Sequence, residues 1–155
     1  MGLRQEVAQS FLSLVESGNI RYQTIPAAAV GTALVSDGAA AAWAWADYVQ
    51  ICAAAAIPDP CWLCGITIHT GVVETHYGDI AIASGAGGAE VDLAMFSYVA
   101  GIPSAVGVSV ATPSWLPYPI RIAGSPRLAA RIRKDTAASA AGVTLKVILG
   151  TAVGT

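Results

Sequence analysis

Regular alternation of apolar and polar residues in the last third of the chain limits the folds open to it. Between residues 127 and 133 apolar side chains alternate mostly with arginines, and between residues 143 and 149 valine or leucine occupies every second position. Residues 120–122 repeat the pattern as Ile-Arg-Ile. A period of two places one set of side chains on a buried face and the other toward water or a partner. This segment therefore predicts two or three β-strands.

The basic residues of the chain concentrate in the same segment. Six of the eight lysines and arginines lie there: Arg121, Arg127, Arg131, Arg133, Lys134 and Lys146. Acidic residues Asp79, Glu90 and Asp92 surround a glycine-rich turn at 84–88. Such opposite charges pair either across a sheet or across a subunit interface, and the sequence leaves both interpretations open. Our candidate interface residues in this segment are Arg121, Arg127, Arg131 and Arg133.

Shorter alternating segments separated by turns precede this region. We expect extended structure or strands within residues 24–35, 43–52, 62–70, 79–83 and 90–98, and a mostly irregular connection over 99–117 with a short strand at 106–110. About eight strands without helical crossovers predict an all-β fold, a jelly-roll-like β-sandwich. Strand order does not follow from the pattern, so an immunoglobulin-like sandwich is the alternative.

Two of these strands carry specific predictions about side-chain direction. Strict alternation would place Trp62, Ile66 and Ile68 on one face of their strand. On the strand at 90–98, Val91, Leu93 and Met95 alternate with the acidic residues and are predicted to form the apolar set.

The N-terminal segment has helical periodicity instead. An apolar stripe repeats at helical spacing, and Gly18-Asn19 is typical of a helix end. We therefore divide the chain into a helix or arm at 1–19 and a sandwich domain at 20–155. A helix this short is marginal alone, so its stripe covers its own sheet or docks on a neighbouring subunit. The stripe supplies the remaining candidate interface residues: Leu3, Val7, Phe11 and Leu14.

Composition favours assembly over a solitary domain. Charged residues make up 12% of the chain, about half of the ~25% of an ordinary soluble domain. The surface of a monomer needs more polar groups than this, so we expect a homo-oligomer, with a trimer as the working hypothesis. No apolar run of ~20 residues indicates a membrane span, because Asp47 and Gln50 interrupt residues 39–57. The net charge of −2 gives no argument for nucleic-acid binding.

Few residues suggest chemistry. Cys61 and Cys64, with His69 and His76 downstream, have ligand types that zinc accepts, but two residues three apart on a strand face opposite sides. We expect inert thiols and no metal or cofactor. A catalytic pair of Glu90 and Asp92 would define a small hydrolase, a hypothesis we rank below ion pairing with the basic strands. We expect no catalytic residues and no enzyme activity.

Four segments of this chain resemble structural proteins of tailed-bacteriophage virions. They are TIPAAAVGTAL at 24–34, WAWADYV at 43–49, DIAIASGAGGAE at 79–90 and PYPIRIAGSPRLAARI at 117–132, within a match that covers roughly 24–149. The resemblance implies a jelly-roll capsid cement or decoration protein that binds the major capsid protein. It would be made in the host cytoplasm and located in the virion. No active site is implied.

The alternative within the same resemblance is a tail or fibre module. Such a module would bind host-surface glycans, with exposed aromatic rings as the stacking surface. The candidates are the four tryptophans: Trp43, Trp45, Trp62 and Trp115.

Overall fold

The structure is a computed structural model that describes part of the 155-residue chain. The described residues are 9, 11–13, 15–27, 32–34, 41–57, 59–70, 76–100, 110–124, 127–135 and 143–153.

Nine β-strands within these residues form two antiparallel sheets. Sheet A has the order β1-β9-β4-β7, with β2 also paired to β9, and sheet B has the order β3-β8-β5-β6. The strands are β1 (Ile20–Ile25), β2 (Thr32–Leu34), β3 (Val49–Cys52), β4 (Cys61–Thr70), β5 (His76–Ser84), β6 (Val91–Ala100), β7 (Val110–Ile122), β8 (Leu128–Lys134) and β9 (Val143–Ala152).

The pairing pattern is that of a jelly roll. β5 pairs with β6, β4 with β7, β3 with β8 and β2 with β9, all antiparallel. The chain therefore doubles back at the β5–β6 hairpin, and the resulting ribbon alternates between the two sheets. β1 and β2 pair with different parts of β9 and together form one edge, which gives the eight strand positions of a jelly roll. The predicted fold class is confirmed.

The main core lies between the sheets and follows the predicted alternation. On β8 the inward residues are Leu128, Ala130 and Ile132, all essentially inaccessible to solvent. The odd-numbered residues of β9 from 143 to 149 also belong to this core, as do Ile80 and Ile82 of β5. Each large aliphatic side chain buried in this way contributes ~1.5–3 kcal/mol. The core thus explains why alternating segments far apart in sequence pair with one another.

A break in the alternation of β4 reverses one prediction. The pairing registers of β4 with both β7 and β9 shift between Leu63 and Gly65, which is an irregularity of the β-bulge kind. Leu63, Ile66 and Ile68 therefore all face the core, whereas Trp62 faces the outer side of sheet A. The prediction that Trp62 shares a face with the two isoleucines is wrong, because one extra residue exchanges the faces.

A similar irregularity corrects the inward set of β6. Its register with β5 shifts between Ile82 and Ala83, so that Phe96 and Tyr98 enter the core while Met95 faces outward. Val91, the first residue of the strand, is exposed as well. Leu93 packs partly against the core. Of Val91, Leu93 and Met95, which the sequence predicted as the apolar set of this strand, only Leu93 therefore packs against the core.

Two other segments differ from the predicted strands. Residues 43–48 are irregular, with Trp43 at φ 62°, and only Val49–Cys52 is a strand. β7 begins at Val110, so residues 110–117 are strand instead of connection. The expected strand at 106–110 lies outside the described residues except for its last position.

The N-terminal segment packs on the outer side of sheet A. Residues 9–16 include helical positions, and Gly18 follows with φ 70°. Phe11 is buried against Trp62, with an edge-to-face ring contact at 5.8 Å, in a cluster that includes Cys64 and Ile148. This contact matches the interpretation in which the segment covers its own sheet. Within the described residues, no helix is long and apolar enough to cross a membrane.

Gly65 is a sharp test of the bulge on β4. A Cβ atom there would collide with the backbone oxygen of Ser114 on β7, so we expect Gly65→Ala to lower the unfolding midpoint in urea. Gly87, which has open space around it, provides the matched control, and Gly87→Ala should leave the midpoint nearly unchanged. Equal midpoints for the two variants would contradict this packing.

Candidate functional site

The outer face of sheet B gathers most of the charged residues singled out from the sequence. Register places Arg133 of β8 opposite Asp79 of β5, and Arg131 opposite Ala81. Because β8 alternates, both arginines lie on the side away from the core. Arg127 directly precedes β8 and bonds to Glu90, which directly precedes β6.

Each of these three arginines forms an ion pair with a carboxylate. The joined atoms are Arg127 Nη1 and Glu90 Oε1 at 2.5 Å, Arg131 Nη2 and Asp92 Oδ2 at 2.5 Å, and Arg133 Nη2 and Asp79 Oδ2 at 2.7 Å. Arg127 also donates to Gln50 Oε1 at 3.0 Å, and Ser97 donates to Asp79 at 2.7 Å. Three of the basic residues therefore pair with the three acidic residues across sheet B, which was one of the two interpretations of the sequence.

Aromatic rings from residues 43–48 interleave with two of the arginines. The Arg131 guanidinium carbon lies 4.6 Å from the Trp45 ring centroid and 4.7 Å from that of Tyr48. Arg133 lies 4.6 Å from Trp45 and 5.8 Å from Trp43. The order Trp43, Arg133, Trp45, Arg131, Tyr48 is thus a continuous stack of alternating rings and cations. We call this stack, with Arg127 and the three carboxylates, the arginine ladder.

Backbone contacts hold the irregular segment in place beside β8. Trp43 donates from its backbone nitrogen to the Lys134 carbonyl at 2.7 Å, and Ala46 donates to the Ile132 carbonyl at 2.9 Å. The two acceptors are two residues apart on β8, as are Arg131 and Arg133, whereas the two donors are three residues apart. The bonds hold the segment beside β8, where its rings lie against the two guanidinium groups.

Short side chains of sheet B lie beneath the charged side chains of the ladder. Ala81, Ala83 and Ala129 are buried although they do not belong to the core between the sheets. Register pairs Ala83 with both Ala129 and Asp92, on the side occupied by the ladder. Alanine leaves room for long side chains to lie across the sheet, so these residues are buried beneath the charged layer.

The electrostatics of the ladder suit structure better than proton transfer. The hydrogen bond from Arg127 is the main reason why the pKa of Glu90 lies below its ordinary value. A general acid at neutral pH needs the opposite shift. Burial, and then the hydrogen bond to Asp92 at 2.7 Å, raise the pKa of Tyr48, which stays a protonated donor.

The remaining predicted interface residues lie elsewhere. Arg121 is exposed on β7 of sheet A, away from the ladder on sheet B. Phe11 is buried against sheet A of its own chain. Leu3, Val7 and Leu14 lie outside the described residues. Contact of these residues with another subunit stays a prediction.

The side chains of Cys61 and Cys64 do not converge. Cys61 belongs to the core and Cys64 to the cluster on the outer side of sheet A, so the two thiols face opposite sides of β4 as predicted. Burial raises the pKa of both thiols to about 11, so they stay protonated at neutral pH. Among the described residues, no three His, Cys, Asp or Glu side chains are grouped to hold a metal ion.

The stacked rings are the part of the site that sequence reasoning missed. A signal was present, because Trp43 and Trp45 are two apart, as are Arg131 and Arg133. Equal spacing lets two segments interleave when they lie side by side. Nothing in the sequence alone indicates that residues 43–48 are adjacent to β8.

Comparison with known proteins adds little to this description. No protein-family model matches the sequence, and no curated protein matches it. Among solved structures, a chain in the structure of infectious bursal disease virus Gx strain is similar, with a TM-score of 0.38 and 15% sequence identity. The similarity covers 87% of this chain and 32% of that chain. A TM-score this low carries no functional argument.

The stacking role of Arg131 can be measured by substitution. Arg131→Ala removes one partly exposed ion pair and two ring contacts, and we expect a loss of about 1–3 kcal/mol in the free energy of unfolding in urea. Arg131→Lys keeps the charge without the planar stack and should fall between wild type and Arg131→Ala. The control Arg121→Ala should cost less than about 0.5 kcal/mol. Similar losses from the two alanine variants would contradict the ladder.

The Glu90–Arg127 pair predicts a specific acid sensitivity. Because the folded-state pKa of Glu90 is lowered from 4.5, its stabilisation is present above that value and is lost as the pH falls through the lower, folded pKa. The unfolding midpoint of the wild type should fall as the pH is lowered from about 5 to about 3, a range that contains the ordinary pKa of glutamate. We expect Glu90→Gln to make this fall less steep. Glu16→Gln, at an exposed glutamate outside the ladder, should keep the wild-type slope. An unchanged slope in Glu90→Gln would contradict the assignment.

Proposed function

We propose that this chain is a virion structural protein, and specifically a capsid cement or decoration protein that binds coat subunits as a homo-oligomer. The observation that carries the proposal is the jelly-roll pairing of β2 with β9, β3 with β8, β4 with β7 and β5 with β6. Viral capsid domains, lectins and cupins share this architecture. Because one fold serves several functions, the choice among them rests on the surfaces.

The surface supports a role in assembly. Charged residues are only 12% of the chain, and many of those on sheet B are used in pairs within the ladder. Large apolar side chains remain exposed on both sheets, and they include Val91, Met95, Val99, Trp115 and Tyr118. Burial of such side chains against coat subunits would remove apolar area from water at about 25 cal/mol per Å².

The ladder supports the same role from within the chain. It ties residues 43–48, β8, β5 and β6 together on one face with ion pairs, ring contacts and backbone hydrogen bonds. A protein that reinforces a capsid must keep its shape under load, and a cross-linked sheet face resists local opening. The core between the sheets is built from aliphatic, aromatic and cysteine side chains, a composition suited to packing.

A glycan-binding tail or fibre module is the second candidate, and one observation favours it. Tyr22 of β1 and Trp115 of β7 form an edge-to-face pair with centroids 5.8 Å apart. Both rings are about half exposed, and Tyr118 on the same edge strand is 73% exposed. Exposed rings of this kind can stack on the apolar faces of sugars.

A reconstitution experiment separates the two candidates. Purified protein added to particles that lack it should bind saturably, in a fixed ratio to the major capsid protein measured by gel densitometry after sedimentation. Deletion of residues 1–19 should abolish binding while circular dichroism still shows a folded β domain. Gly87→Ala, at a position with open space outside the candidate interface set, serves as a substitution control for folding and expression.

Two results would contradict parts of this proposal. One is normal binding by the truncated protein, which would contradict a role for residues 1–19 in the interface. The other is failure of the intact protein to bind particles combined with glycan-array binding that Trp115→Ala abolishes, which would support the alternative.

A further inference from the structure

The edges of the two sheets differ in how well they are protected against pairing. On sheet A, three prolines interrupt the β7 edge, and Pro26 follows β1 on the opposite edge. On sheet B, the β3 edge is only four residues long. Proline and short length are devices that block strand addition. Three of the four edges in the described sandwich are therefore protected.

β6 is the remaining edge, and it lacks these devices. It is ten residues long, contains no proline, lysine or arginine, and ends sheet B in the described structure. Its only charged residue is Asp92, which is engaged with Arg131 and Tyr48 in the ladder. The segment 94–100, beyond the irregularity in β6, pairs regularly with β5 on its inner side.

Apolar side chains are exposed beside this edge. Met95 and Val99 are 58% and 60% exposed, on the same face as Ser97 and the ladder. Tyr77 of β5 lies opposite Val99 and is 56% exposed. An open strand edge bordered by exposed apolar residues is a typical surface for strand addition.

We propose that β6 pairs with β6 of a second copy of this chain, antiparallel and about a two-fold axis at Ser97. This interface gives a dimer, in place of the trimer that served as the working hypothesis from the sequence. Sheet B would then continue through the interface as one eight-stranded sheet. The proposal goes beyond the proposed function, because it assigns the surface that joins two copies and holds for a capsid protein or a glycan-binding module alike.

Self-complementarity of segment 94–100 identifies a second copy as the occupant. In the register centred on Ser97, Met95 lies opposite the partner's Val99, and Val99 lies opposite the partner's Met95. Ser97 lies opposite itself, and its small side chain avoids a clash at the axis. The segment carries no charge, so two identical strands do not repel each other. A two-fold interface requires this kind of match of a surface with itself.

Charge placed on the exposed positions of β6 tests the interface. Size-exclusion chromatography with light scattering should give wild-type protein a mass of twice 15.7 kDa, and Met95→Lys/Val99→Lys a mass of 15.7 kDa. Both side chains are mostly exposed in one chain, so the variant should still unfold cooperatively, with a midpoint that no longer rises with protein concentration as that of a dimeric wild type does. The control Tyr118→Lys places a lysine at an exposed position on the β7 edge and should stay dimeric.

A cysteine at the proposed axis tests the register. Cα atoms directly opposite each other in antiparallel strands are ~4.5–5.5 Å apart, within reach of a disulfide. Ser97→Cys should therefore oxidise to a covalent dimer on non-reducing gels. The three native cysteines are buried and should not contribute, and Val91→Cys, away from the axis, should give little dimer. A wild-type monomer at all concentrations, a lysine variant that stays dimeric, or no cross-link at position 97 would each overturn the proposal.

Discussion

Burial of alternate side chains between two sheets is the constraint on which the rest of this structure depends. β8 and β9 each present one face of aliphatic residues, which must be buried against another element, and here the two sheets bury each other's apolar faces. Once the sandwich forms, the other side of β8 must face outward. The arginines on that side have a position fixed by the core, and the carboxylates of β5 and β6 lie within reach of them.

The burial of alternate side chains also determines which parts of the fold the sequence predicts. Alternation identified the inward residues of β8 and β9 because both strands are regular. It failed on β4 and β6, where one extra residue in each strand exchanges the faces of Trp62 and Met95. A bulge depends on the register in which neighbouring strands pair, and a single sequence does not show that register directly. The strand order was also beyond reach, because it is set by pairs such as β2 and β9.

The candidate site was likewise predicted only in part. Opposite charges on the strands predicted that ion pairs would form, and left open whether they would lie within a sheet or between subunits. The aromatic half of the arginine ladder was not predicted, because residues 43–48 alternate like a strand but adopt irregular backbone beside β8. The local sequence pattern placed the arginines on the outward face of their strand. Their contact with the aromatic rings of residues 43–48 depends on the tertiary fold, which a local pattern does not describe.

The position of β9 constrains how the chain can acquire this structure. β9 lies in the interior of sheet A, between the edge formed by β1 and β2 and the strand β4. Its residues 143–152 leave the ribosome after those of all its partners. Sheet A is therefore in two parts until that segment emerges. The edges of β1 and β4 that pair with β9 in the folded protein have no partner strand before then. Among the described strands, β5–β6 is the one pairing between consecutive strands, so during synthesis sheet B can begin before β4 and β7 pair in sheet A.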